Sequence, residues 1–333
     1  MTTKTKHQKI LIICPHRLGD MVICTPAIKQ LKDHCPDLII DAVAFSKPAM
    51  QVLNYNPAIN NLFLITDHPL KDIYDHYDGI YNLYTSSKSS VYTQGFEVNE
   101  MDRGRFYAFR LHRADMLAKF LAEHFHYKPE ETKQYFIYPQ AHHINLVNDL
   151  LKLNKVDSEE TILIGLHLGS SRVQFVSHKW HQWANIYLNS LMSLGLKSWP
   201  IKKYIKLAKK IKRDFPKVKI ILTGTENEKC MGEFFTRKVP DTINFIGKTD
   251  VQSLSVLMSK LDLYITNDTG PLHVSCATQV PVIALFRGQN KTFYPIKADH
   301  HIVIQKNKLY QISVAEVYYQ TQQLLKNQVI SRP

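Results

Sequence analysis

Two short stretches hold the residue types that could do chemistry. The first, Pro15-His16-Arg17-Leu18-Gly19-Asp20, follows the apolar run Lys9 to Cys14. It sets a carboxylate, Asp20, beside a glycine at the C-terminal end of an expected buried strand, where a general base could meet a ligand. The second, Asn267-Asp268-Thr269-Gly270-Pro271-Leu272-His273, follows the apolar run Leu261 to Ile265. Asp-Thr-Gly is turn and helix-cap chemistry, and Pro271 stands where a first-turn proline is tolerated. A helix starting there points free backbone N–H groups at an anion, which suits a phosphate or diphosphate. Simple capping by Asp20 in the first loop, and by Asp268 or Thr269 in the second, is the plainer alternative at each place. His273, one turn in, could line the same mouth or serve as a buried structural histidine. A third cluster, His178-Lys179-Trp180-His181, has metal-like spacing, but no carboxylate beside it completes a facial set. Packing or surface aromatics describe it better, and no metal is expected.

The elements that must position these residues read as α/β. Lys9–Cys14, Leu38–Phe45, Asn61–Ile65 and Tyr77–Leu83 are strand-like runs separated by helical ones, Met21–Lys32 and Pro48–Leu53 among them. A polar stretch, Thr85 to Arg105, has the length of a binding loop, and Phe106–Phe125 reads as one long helix carrying Arg110, His112 and Arg113. After a bridging helix over Gln140–Val156, Asp157-Ser158-Glu159-Glu160 marks a boundary and the alternation restarts. Strands are expected over Thr161–Leu168, Lys217–Thr223, Leu261–Ile265, Val280–Phe286 and Ile302–Gln305, with a terminal helix over Val314–Lys326. Two such halves, with loops at the strand ends, imply a ligand cleft.

Length and composition set bounds. The 333 residues suit two domains, and 44% hydrophobic with 21% charged is an ordinary globular balance. No apolar run reaches the ~20 residues needed to span a bilayer, and the N-terminal apolar run is too short for a secretory signal, so a cytoplasmic protein is expected. Five cysteines without a C-x-x-C argue against a disulfide framework or a cysteine zinc site. The net charge of +13 favours an anionic partner. It is densest in Lys197–Lys219, where lysines interleave with Ile201, Ile205, Leu207, Ala208 and Ile211 at helical spacing. A solvated helix face and attraction to anionic lipid head groups both account for that pattern. Nucleic acid is not expected, because no binding module or aromatic platform accompanies the charge.

Taken together, the motifs resemble the lipopolysaccharide heptosyltransferases of glycosyltransferase family nine along nearly the whole chain. The resemblance rests on Arg17-Leu18-Gly19-Asp20 with Thr25-Pro26-Ala27 behind it, and on Lys197-Ser198-Trp199-Pro200 opening the basic helix. It rests further on Thr223-Gly224 with Glu228 nearby, and most specifically on Asn267–His273 followed by Pro281–Phe286. It implies a GT-B fold, two Rossmann-like α/β domains facing across a cleft. The implied bounds are 1–157 for the acceptor domain, 158–312 for the nucleotide-sugar domain, and 313–333 for a helix returning toward the first.

The implied activity is inverting, metal-independent transfer of a heptose from ADP-heptose to the inner core of lipopolysaccharide or lipooligosaccharide. The setting it implies is cytoplasmic, peripheral on the anionic inner-membrane surface, with a lipid-anchored oligosaccharide as acceptor and no cofactor beyond the donor substrate. The resemblance makes Asp20 the base. It assigns the donor to Lys197, Gly224, Asp268, Thr269, Gly270 and His273, and the acceptor falls to Arg17, Arg110 and Arg113. Two departures stand out. The interval before Lys197 is long and contains Lys179, a rival to it, and Arg287-Gly288-Gln289-Asn290 replaces the usual G-P-T-D, which opens the donor's identity. Another nucleotide-sugar donor, or an O-antigen or capsule acceptor, is the alternative within the class. Outside it stand a nucleotide-dependent oxidoreductase, disfavoured by the lack of G-x-G-x-x-G, and a non-catalytic nucleotide-binding protein.

Overall fold

Apolar runs too short for helices and too continuous for one-sided sheets become strands buried on both faces. In the computed structural model, residues 9–84, 92–101, 111–156, 161–169, 198–289 and 291–331 are described, with side chains to Lys326. Two compact units emerge: Met1–Gln140 with Lys291–Ile296, and Ala141–Asn290 with Lys297–Pro333.

The first unit holds strands β1 (Lys9–Ile13), β2 (Ile39–Ala44), β3 (Leu62–Leu64), β4 (Gly79–Asn82) and β5 (Asn99–Glu100). Its helices are α1 (Leu18–His34), α2 (Lys47–Leu53), α3 (Leu70–Ile73) and α4 (Arg113–Phe125). The sheet order is β3-β2-β1-β4-β5 with every pair parallel. That is the Rossmann order, and the direction of strand addition reverses beside β1.

The second unit opens with α5 (Ala141–Leu153), then β6 (Ile162–His167), α6 (Ile201–Asp214) and β7 (Val218–Thr223). It continues with α7 (Lys229–Lys238), β8 (Ile243–Asn244), α8 (Val251–Ser259), β9 (Leu263–Asn267) and α9 (Gly270–Cys276). It closes with β10 (Val282–Arg287), β11 (His301–Lys306) and α10 (Val314–Ser331). The order β11-β10-β9-β6-β7-β8, again all parallel, repeats the same plan with its reversal between β6 and β9.

Several expected boundaries move, each for a local reason. α1 begins at Leu18 rather than Met21, so Asp20 lies in a helical first turn instead of a loop. Pro26 sits inside α1 and has no N–H to give the Val22 carbonyl four residues back. The Thr25 hydroxyl donates to that carbonyl instead (2.7 Å) and accepts the Phe136 N–H (2.9 Å), so the Thr-Pro pair is self-compensating. α4 begins only at Arg113, because His112 is extended and its Nδ1 accepts the Ala114 N–H as a cap. α5 belongs with the second unit, where it packs on α8 and buries His143 near Asp250 (3.6 Å). The terminal helix α10 packs its described residues on α6, β9 and β10. Val317, Thr321 and Leu325 are buried there in the second unit's core.

α10 starts on a capping box. The Ser313 N–H donates to Glu316 Oε2 (2.7 Å) and the Glu316 N–H to Ser313 Oγ (3.1 Å), while Lys306 Nζ pairs with Oε1 (2.9 Å). Lys306 first, then the Ser313 backbone, hold the Glu316 carboxyl down at about 2. A depressed folded-state value means that this stabilisation is complete above the unfolded carboxyl's range and lost as pH falls through the folded value. Glu316→Ala should cost about 1 kcal/mol at neutral pH, the scale of a lost cap rather than of a buried ion pair, since the pair is solvent-screened. The difference from wild type in thermal unfolding should close between about pH 5 and pH 2. A gap independent of pH would contradict the assignment.

Candidate functional site

In the second unit the candidate site is built at the C-terminal ends of β6, β7 and β9, beside the sheet's reversal. Asn267 ends β9 and is fully buried. Its Nδ2 donates to the Gly169 carbonyl (3.1 Å) and, more weakly, to the His167 carbonyl (3.5 Å), while its Oδ1 accepts the Trp199 N–H (2.9 Å). The indole of Trp199, itself buried, donates to the Ile312 carbonyl (3.0 Å), and Lys203 Nζ caps the Tyr310 and Ile312 carbonyls (2.5 and 2.6 Å). Burial lowers the Lys203 ammonium's pKa.

The turn after β9 carries the expected donor residues. The Asp268 N–H extends the ladder to the Leu285 carbonyl (3.2 Å), and its side chain is half-buried. Thr269 occupies the N-cap position of α9, yet it does not cap. Its hydroxyl donates back to the Asn267 carbonyl (3.3 Å) and meets Thr266 Oγ1 (3.3 Å). Gly270 is the first helical residue, Pro271 follows, and His273 is buried within α9.

Beside this turn a carboxylate is folded into the protein. Glu228 is buried. Its Oε2 accepts the Thr225 N–H (2.7 Å) and hydroxyl (3.2 Å), and its Oε1 lies 3.7 Å from His167 Nε2. His167 Nδ1 faces the Thr223 carbonyl (3.1 Å), so Nδ1 carries a proton. Gly169 and Gly224 are what let Glu228 in: a Cβ on Gly169 would meet Oε1 at 1.5 Å, and one on Gly224 would meet Oε2 at 2.8 Å. The Gly224 carbonyl accepts the Gly247 N–H (2.9 Å), which leaves this glycine as a close-packed turn. The Thr223 hydroxyl and the Tyr264 hydroxyl share a bond (2.7 Å), and burial raises the Tyr264 phenol's pKa.

In the first unit Asp20 is half-buried in the first turn of α1, where the helix dipole favours negative charge. Arg17 occupies the N-cap position and is exposed, and its carbonyl accepts the Met21 N–H (3.0 Å). Ser46 Oγ donates to the His16 carbonyl (3.0 Å), which ties the end of β2 to the loop that leads to Asp20. Burial pushes the Cys14 thiol up to about 12 and the Cys24 thiol also upward, so both are inert packing groups. Arg113, expected at the acceptor, is only 7% exposed and donates to the Leu83 carbonyl (3.3 Å) and the Met101 sulfur (4.0 Å). Its charge opposes, and that of Asp20 adds to, the upward shift that burial imposes on the Cys24 thiol.

Arg110, Lys179, Lys197, His178 and His181 lie outside the described residues. Among the described residues, no three His, Cys, Asp or Glu side chains gather in a metal-binding arrangement. Asn267, His167 and Gly169 were missed by sequence reasoning. The available signal was a polar residue closing a wholly apolar strand, which must find partners when buried.

The fit of Glu228 against Gly169 makes a direct test. Gly169→Ala should destabilise the fold by about 1–3 kcal/mol through overpacking. Glu228→Ala should cost less in that background than alone, giving a coupling of about 0.5–3 kcal/mol in a double-mutant unfolding cycle. Strict additivity would contradict the contact.

Comparison with known proteins agrees with this architecture. The profile of Glycosyltransferase family 9 (heptosyltransferase) matches residues 74–319. Lipooligosaccharide heptosyltransferase 2 of Haemophilus influenzae is 27% identical over 115 residues, a stretch that is 33% of this chain and about a third (32%) of that relative's length. A family 9 glycosyl transferase from Veillonella parvula superposes with a TM-score of 0.78 at 20% identity, over 98% of this chain and 99% of that one. The E. coli ADP-heptose LPS heptosyltransferase II follows at 0.71 and 19%, over 96% and 99%. At these identities the likeness speaks to the fold, which is the GT-B fold expected from the sequence. The profile takes in about half of the first unit and most of the second, well over half of the chain, and the chain belongs to glycosyltransferase family 9, the heptosyltransferase family.

Proposed function

We propose that the protein transfers a heptose from ADP-heptose to the inner core of lipopolysaccharide or lipooligosaccharide, with inversion and without a metal. The observation that carries this reading is the family match across residues from both units. The positions of Asp20 and of the Asn267–Gly270 turn at the C-terminal strand ends beside each reversal support it. A sugar hydroxyl holds its proton tightly at neutral pH, so attack on the anomeric carbon needs a base. Asp20 takes that proton as the new C–O bond forms and the bond to the diphosphate breaks. The departing ADP gains negative charge, which Lys197 and the N–H groups of the Thr269–Gly270 turn stabilise. Asp268 accepts hydrogen bonds from heptose hydroxyls, His273 steadies the turn, and Gly224 lets backbone approach the nucleoside. Arg17 is the exposed cation beside the base that suits a phosphate-bearing acceptor. Arg110 and Arg113 complete the proposed acceptor set.

We place the reaction at the cytoplasmic face of the inner membrane. Among the described residues no helix is long and apolar enough to cross a membrane. On α6, Lys202, Lys206 and Lys209 are exposed along one face. On the same helix Lys210 lies over the Tyr318 ring (4.3 Å) and Arg213 pairs with Asp214 (2.7 Å). The exposed row suits anionic head groups. A second donor reading rests on the loop after β10, where Arg287 is exposed and Gly288 adopts a positive φ of 68°.

Asp20→Ala should lower heptosyl transfer by roughly 10²–10⁴-fold, the range of a lost general base, while ADP binding by calorimetry stays unchanged. Activity within a few-fold of wild type would remove Asp20 from the role.

A further inference from the structure

We infer that Asn267 is a positioning residue for the donor site, holding three segments in register there, two through its carboxamide and the third through its backbone carbonyl. This rests on the donor reading above. The geometry is specific. Gly169 follows β6 and Trp199 precedes α6. The carboxamide of Asn267 reaches both, giving a hydrogen to the Gly169 carbonyl (3.1 Å) and taking one from the Trp199 N–H (2.9 Å). Its own carbonyl accepts the hydroxyls of Thr266 (3.1 Å) and Thr269 (3.3 Å), so the same residue sets the Asp268-Thr269-Gly270 turn.

Each fastened segment borders a group with work to do. Trp199 is two residues from Lys197, which is proposed to hold the diphosphate. Gly169 is the wall against which Glu228 packs. Thr269 opens the turn whose N–H groups meet the leaving phosphate. Only a carboxamide of this length supplies a donor and an acceptor in one plane. Aspartate keeps the acceptor for Trp199 but turns a carboxylate oxygen toward two carbonyls. Alanine leaves the Trp199 N–H and the Gly169 carbonyl buried without these partners.

Three variants test this: Asn267→Ala, Asn267→Asp, and Lys203→Met as a destabilised control that leaves the carboxamide bonds intact. ADP affinity is read by calorimetry, donor and acceptor KM by transfer assay, and amide hydrogen exchange at Trp199 by mass spectrometry. Both Asn267 variants should bind ADP about tenfold or more weakly and raise donor KM while acceptor KM holds. Lys203→Met should lose thermal stability with ADP affinity unchanged. Asn267→Ala should also lose protection at Trp199. Should Asn267→Ala fail to fold, Asn267→Asp carries the comparison. If wild type binds ADP and both variants bind it equally well, the inference is overturned and the donor reading stands. Equal rises in donor and acceptor KM would likewise reduce Asn267 to a structural role. If wild type itself binds no ADP, the donor reading falls and the inference with it.

Discussion

The structure depends on one constraint, the right-handed crossover of parallel strands. A sheet that grows first to one side of its opening strand and then to the other leaves an open crevice at the strands' C-terminal ends. Both sheets do this, beside β1 in the first unit and between β6 and β9 in the second. Whatever residues follow those strands are delivered to a crevice without further adaptation. In this chain they are Gly19-Asp20 after β1, Leu168-Gly169 after β6, and Asp268-Thr269-Gly270 after β9. The chemistry is a property of a few residues, while their placement is a property of strand order.

Delivery to a crevice is coarse, and side-chain hydrogen bonds refine it. Asn267 joins three chain segments, and Ser46 ties the β2 end to the loop before Asp20. Glu228 fills the space left by two glycines. Asn267 and Glu228 are buried and polar, so each is tolerable only while its partners are in place. The same condition makes them good rulers. A partner displaced by a fraction of an ångström loses a bond that water cannot replace.

Much of this was legible in the sequence. The strand runs, their parallel alternation with helices and the turn at Asn267–His273 follow from apolar patterning and turn chemistry, and the structure holds them within a few residues. What could not be read was the set of side-chain partners. Arg113 is buried against Leu83 and Met101, partners distant in sequence that helical spacing does not reveal. α1 starts early because Arg17 takes an extended N-cap conformation, a backbone choice that no periodicity encodes. Asn267 reads in the sequence as part of a turn, since a lone amide shows its further value only through the groups it reaches.

The central claim is that an adenosine diphosphate sugar is the donor. Thermal unfolding against ADP, UDP, GDP and NAD tests it most directly. A ligand at ~100 times its Kd stabilises the native state by roughly 2.7 kcal/mol, a shift that is readily resolved. The account predicts a clear rise in Tm with ADP and none with UDP, GDP or NAD. A rise with UDP or GDP in place of ADP would contradict the donor assignment, and a rise with NAD alone would contradict the transferase reading itself.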